Sequence, residues 1–128
     1  MKPAQPTRNE DKRLHALHDL GILDTGREDR FERIVRVAAY VSECPVVAIS
    51  LIDEDRQWFK AKRGLAVNQT GRSESICGHA IHQLEPFIVE DTLNDCRFVD
   101  NPLVIGPPNI RFYAGFPFSL DSEHLLGT

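Results

Sequence analysis

RFYAGFPFS, residues 111–119, divides its side chains cleanly by parity. Phe112, Ala114, Phe116 and Phe118 share one face of an extended strand. Arg111, Tyr113, Gly115, Pro117 and Ser119 share the other, because successive strand side chains point to opposite sides. The aromatic set is expected to pack on helices. The second set brings a cation, a phenol and a glycine that permits close approach, which suits a pocket wall for a ligand with an anionic or carbonyl group. The competing reading pairs Arg111 with a loop carboxylate, Asp91 or Asp95.

Upstream, Thr92 to Asn109 is a long irregular segment with Pro102, Gly106, Pro107 and Pro108. Loops of this length in a compact domain carry function or cover something. Its polar residues Asp91, Asp95, Arg97 and Asn101 are read as local hydrogen-bonding groups that hold it to the sheet. Before it lie a short strand, Phe87 to Glu90, and a short helix, Ser75 to Leu84, capped by Ser73 or Ser75. Residues 46–52 are apolar except Ser50, which predicts a central strand covered on both faces. Asp53 to Asp55 form a polar turn, and Gln57 to Arg63 complete a β-hairpin closing at Gly64.

The first helix is expected over Asn9–Leu20, with Asn9 as N-cap, Glu10 and Asp11 in the first turn, and Gly21 as the left-handed residue that lets Ile22 fold back onto Leu17. The second opens with a capping box, Thr25 and Glu28, and carries Phe31, Ile34, Val35, Ala38 and Val41 on one stripe. Pro45 ends it. Residues 1–8 read as a flexible tail. After 119, a turn at Asp121–Glu123 leads to a last strand from His124. The order α-α-β-β-α-β-loop-β-β predicts an α+β fold: an antiparallel sheet with helices one and two on one face and the short helix plus long loop on the other.

At 128 residues the chain predicts one domain with its own core. A net charge of −4 argues against an electrostatic nucleic-acid footprint. The N-terminus has no signal-peptide pattern, and no apolar run approaches the ~20 residues of a membrane helix. Cys44, Cys77 and Cys96 are odd in number and widely spaced, which is no disulfide framework and suits the reducing cytoplasm.

Several ordered motifs resemble one known family. RSESICGHAI (72–81) is similar to the FCxHAI helix of bacterial GAF domains, with Ile76 where Phe is usual. DTLNDCRFVDNPLV (91–104) is similar to their DaxxDxRFxxNPlV loop, and RFYAGFPF (111–118) to their RFYAGxPL strand. LGILDT and SLIDEDRQWFKAKRGL, upstream, extend the likeness to about residues 12–128. The resemblance implies a GAF/PAS-like fold over 9–128 and a cytoplasmic regulatory module ahead of an output domain such as a histidine kinase or diguanylate cyclase. The ligand would lie between the sheet and the short helix with its loop. Family members continue past a position like Thr128 with a further strand and helix, so the resemblance also implies a truncated module here.

The residues expected to line the ligand site are Arg111, Tyr113, Asp91, Phe98, Cys77 and His79. The cofactor is left open. His79 and His82 share a helix face, but Cys77 and His79 lie about 200° apart on a helix and cannot easily grip one ion, so no metal site is assigned there. Trp58 is read as a core residue. The function expected is small-molecule sensing without catalysis. Two alternatives stand beside it. One is a thiol redox enzyme or sensor using Cys77 and Cys96, which requires their Cα atoms within ~7 Å. The other is a ligand-free homodimerisation module pairing through helix one, at Leu14 and Leu17.

Overall fold

A computed structural model describes all 128 residues, Met1–Thr128. Helices α1 (Glu10–Asp19) and α2 (Asp29–Ser42) precede strands β1 (Val47–Ile52), β2 (Arg56–Arg63) and β3 (Gln69–Gly71). Helix α3 (Cys77–Ala80), strand β4 (Phe87–Val89), helix α4 (Pro102–Ile105) and strands β5 (Tyr113–Gly115), β6 (Phe118–Ser119) and β7 (Leu125–Gly127) complete the α+β fold. Five strands form one antiparallel sheet in the order β3-β2-β1-β7-β6, so β1 is central as its apolar run predicts. β4 and β5 form a separate two-stranded ribbon.

Adjacent residues of β1 and β7 serve opposite faces. Leu51 and Leu126 join Leu17 of α1 and Trp58 in one buried cluster. Ile52 and Leu125 join Ile81, with Cys77 against them, in a second. A third, Ile76, Ala80, Phe87, Val89, Phe98 and Val104, fills the space between α3, the ribbon and the long loop. The sheet is thus covered by α1 on one side and α3 on the other, as strand alternation requires.

Several local expectations are corrected. Asn9 precedes α1 but its side chain makes no cap bond. Instead Glu10 Oε2 reaches back to the Thr7 amide and hydroxyl, at 3.0 and 2.7 Å. Gly21 adopts the expected left-handed conformation, φ 66°, and Ile22 packs against the Leu17 cluster. The Thr25–Glu28 capping box does not form: α2 begins only at Asp29, with Glu28 itself at the N-cap position, and Lys60 engages both residues. Its buried Nζ donates to Thr25 Oγ1 and the Gly26 carbonyl, both at 2.7 Å, and pairs with Glu28 at 2.6 Å. A bulge explains the aim of Lys60: Ile49 pairs with Ala61 and Ser50 with Phe59, leaving Lys60 out of register. Of the α2 stripe only Val35 is fully buried; Ile34 and Val41 are exposed, as are Val37 and Tyr40.

The 111–119 segment keeps its parity but not its partners. Residues 113–115 pair with β4, away from α1 and α2, so Phe112, Ala114 and Phe116 face solvent. Only Phe118, which pairs with β7, reaches the Leu17 cluster. The long loop holds a helix that was not foreseen, α4. Asn101 caps it by accepting the Leu103 amide at 2.8 Å, and Pro102 occupies the first turn. Residues 1–8 have almost no regular structure but lie against the domain. The Lys2 amide donates to the Arg97 carbonyl at 3.1 Å, and His82 Nε2 meets the Gln5 carbonyl at 2.8 Å.

Candidate functional site

Between the sheet and α3 runs a chain of polar groups in an otherwise apolar interior. Ser50 is buried in β1, and its Oγ lies 3.1 Å from Thr128 Oγ1. Thr128 is fixed by a reciprocal backbone pair with Ser50, at 2.8 and 3.0 Å. The Tyr113 hydroxyl lies 3.5 Å from Thr128 Oγ1 and donates to Cys77 Sγ at 3.0 Å. Burial is the largest influence on the phenol and pushes its pKa well above the ordinary value; the neighbouring thiol acts in the same direction. Tyr113 is therefore a neutral hydrogen-bonding group.

Each member is placed by local chemistry. Ser75 accepts the Gly78 amide at 3.0 Å and donates to Gln57 Oε1 at 2.9 Å, which starts α3 at Cys77 and ties it to β2. Of the two serines named as caps, Ser75 does the work. Tyr113 reaches inward because its ribbon partner is Val89, also inward-facing. Around the phenol stands an aromatic wall. Phe87 lies 6.1 Å from Tyr113 and 6.4 Å from Phe98, both edge-on. His79 meets Phe98 edge-on at 4.9 Å. Burial lowers the His79 pKa below its ordinary value, so its ring favours the neutral form. Arg97 lies 5.1 Å over both Phe87 and Phe98.

Four of the six residues expected at the site are thus together: Cys77, His79, Phe98 and Tyr113. Phe98 is fully buried and acts here as core. Arg111 and Asp91 stand apart. Arg111 is exposed and donates to the Val104 and Ile110 carbonyls at 2.8 and 3.1 Å, clamping the end of α4. It pairs with neither Asp91 nor Asp95. Asp91 accepts the Leu93 amide at 3.0 Å and Asn94 Nδ2 at 2.9 Å, and Asp95 holds Arg97 at 2.6 Å. These loop carboxylates are satisfied within the loop. All three cysteines are unpaired. Cys77 is bonded to Tyr113, whereas Cys96 is exposed beside Lys2 Nζ at 3.5 Å. Sequence reading missed Ser50 and Thr128. Ser50 carried a signal, as the single polar residue in an apolar strand.

The description "GAF domain" matches residues 26–128. This chain belongs to the GAF domain family. Residues 26–128 hold both helix α2 and every group of the polar chain. A cyclic di-GMP phosphodiesterase of Pseudomonas aeruginosa is 42% identical over 120 residues, covering 94% of this chain and 20% of that protein. The chain therefore spans about a fifth of the relative's length. Among solved structures, the GAF domain of A. aeolicus nlh2 in an inactive state aligns with TM-score 0.56 at 12% identity, over 94% of this chain and 78% of that one. The GAF domain of an Acinetobacter phosphoenolpyruvate-protein phosphotransferase aligns with TM-score 0.58 at 20% identity, over 91% and 73%. At these identities the structures show the shared fold. No helix of the chain is long and apolar enough to cross a membrane.

Proposed function

We propose that this GAF domain is a small-molecule-sensing regulatory module of a bacterial signalling protein, without chemistry of its own. The observation that carries the reading is the Ser50–Thr128–Tyr113–Cys77 chain beneath α3. Convergent polar groups inside an apolar, aromatic-walled space orient a small ligand. A neutral phenol and hydroxyls suit a ligand with a carbonyl, hydroxyl or amide group. Cys77, His79 and Phe98 would form the wall beside Tyr113. Arg111 and Asp91 would act by holding the covering loop. Ligand entry would displace that loop and bias α1 and α2, and through them an output domain in the whole protein. The name of the Pseudomonas relative gives cyclic di-GMP hydrolysis as one output to which such a module is joined.

Thermal-shift screening of nucleotide, acid, amide and tetrapyrrole classes tests the reading, followed by Tyr113→Phe. A ligand that raises Tm, and loses at least half of that rise in Tyr113→Phe, supports it. No stabilisation by any class refutes it.

A second reading, homodimerisation, has one specific support in the exposed apolar face of α2, formed by Ile34, Val37, Tyr40 and Val41. Of the two helix-one residues named for pairing, Leu17 is in the core and Leu14 is half-buried. A monomer by light scattering at high concentration excludes this reading. Cys77 and Cys96 stand in different surroundings, which gives the thiol redox reading no comparable support.

A further inference from the structure

The turn before β7 holds its side chains in an arrangement that turn formation does not require. Asp121 Oδ1 accepts the Ser119 hydroxyl and the Glu123 and His124 amides, at 2.8–2.9 Å. That is ordinary turn chemistry. Its second oxygen, Oδ2, meets His124 Nδ1 at 2.6 Å. An imidazole that donates Nδ1–H to a carboxylate keeps its lone pair on Nε2, which is how a metal-binding histidine is commonly prepared. One donor atom each of Asp121, Glu123 and His124 lies within 4.8 Å of the others.

A second element lines a cleft shared with this turn. Asp11 and His15, one turn apart on α1, share a face. They line a cleft whose other wall is Asp121 and His124. Four of the six cleft residues are thus imidazoles or carboxylates, drawn from two elements far apart in sequence; Lys12 and Ala16 are the others. His15 is 80% exposed and rests on Asp19 at 3.4 Å, a contact weak enough to exchange. Lys12 is exposed and free to swing away. Two imidazoles with carboxylates favour zinc-class ions over calcium or magnesium, which take oxygen donors.

We propose that the cleft between α1 and the 121–124 turn binds a first-row divalent metal ion of the zinc class. His124 and His15 are its nitrogen ligands, and Asp11 supplies oxygen. Asp121 is a positioning residue that orients the His124 ring. Bound there, the ion would clasp α1 to the start of β7. No residue of the cleft belongs to the Ser50–Thr128–Tyr113–Cys77 chain, so the proposal stands apart from the sensing reading.

The test is calorimetric titration of the untagged 128-residue chain with Zn²⁺, and absorption spectroscopy with Co²⁺. The expected result is one equivalent bound with a tetrahedral cobalt spectrum. His15→Ala and His124→Ala should each weaken binding at least ~10-fold, and Asp121→Asn by ~10–100-fold, as loss of an orienting partner does. His18→Ala, on α1 but paired with Asp53, should leave binding unchanged. Because His15 is exposed, its variant decides the matter even if His124→Ala fails to fold. Absence of stoichiometric binding, or a His15→Ala isotherm identical to the parent, overturns the proposal.

Discussion

Arg13→Met measures how firmly α1 is fastened to the sheet. Arg13 is the largest fully buried side chain, at 1% exposure. Its guanidinium donates to the Ile52 carbonyl at 2.7 Å, weakly to the Leu125 carbonyl at 3.4 Å, and to both carboxylate oxygens of Glu10, at 3.1 and 2.8 Å. Methionine retains much of the stem and none of the donors. A buried acceptor stripped of its donor costs about 1–3 kcal/mol. The Ile52 carbonyl belongs in the upper part of that range. Glu10 belongs in the lower part, because Arg72 and Thr7 still hold it and it is partly solvated. The sum is about 3 kcal/mol, which for a domain of this size is a fall in Tm of ~12 °C. Urea unfolding followed by the fluorescence of Trp58, which packs in the same cluster as Leu17, reads the loss directly. Added salt should change it little, since the group is buried. In a double-mutant cycle with Glu10→Gln, coupling should exceed ~1 kcal/mol. A loss within ~0.5 kcal/mol of zero would refute the argument that Arg13 anchors the helix.

Gly127→Ala should destabilise by at least ~2 kcal/mol in the same urea assay, because an added methyl would collide with the Ser50 carbonyl across the β1–β7 pairing. His79 is held neutral by burial, so its folded pKa lies below the unfolded value near 6.5. The unfolded chain therefore binds more protons as pH falls below ~6.5, and stability declines there; Tm measured at pH 7.5 and 5.5 should drop less in His79→Gln. Glu10, Asp53 and Asp95, all held below their usual range by hydrogen-bonded basic partners despite the opposing effect of burial, add a further loss only below about pH 4.5. Lys60→Met should free the loop ahead of α2, seen as faster amide exchange at residues 25–31 with slower change in β1; uniform exchange across both would show that Lys60 does not organise that loop.

Much of this was legible in the sequence because it depends on neighbours along the chain. The apolar run 46–52 made β1 central, Gly21 marked the end of α1, and strand parity separated Tyr113 from Phe112 and Phe116. What escaped depends on residues brought from far away. Thr25 and Glu28 have capping-box spacing, yet α2 starts after them and a lysine more than thirty residues on holds both. Phe112 and Phe116 have a core composition, yet their strand pairs with β4 and leaves them outside. Arg13 has no local signal of its role, since nothing near it in the chain announces that two strand carbonyls will meet it. At the candidate site, strand parity predicted that Tyr113 turns inward, as it does against Val89. Arg111 shares that parity but lies at the surface, where the Val104 carbonyl of α4 accepts its guanidinium.

The division of labour between neighbouring residues of β1 and β7 has a mechanical consequence. Ile52 and Leu125 press their side chains against Cys77 and Ile81, while Arg13 holds the Ile52 carbonyl at 2.7 Å and touches the Leu125 carbonyl at 3.4 Å. The apolar floor beneath α3 and the anchorage of the first helix therefore share the same two residues. A push of ~0.5 Å on that floor would be passed on rather than absorbed, since close-packed interiors transmit strain. It would arrive at α1 as a tilt of the peptide planes that meet the guanidinium, which would make the sheet a pivot plate with one lever on each side.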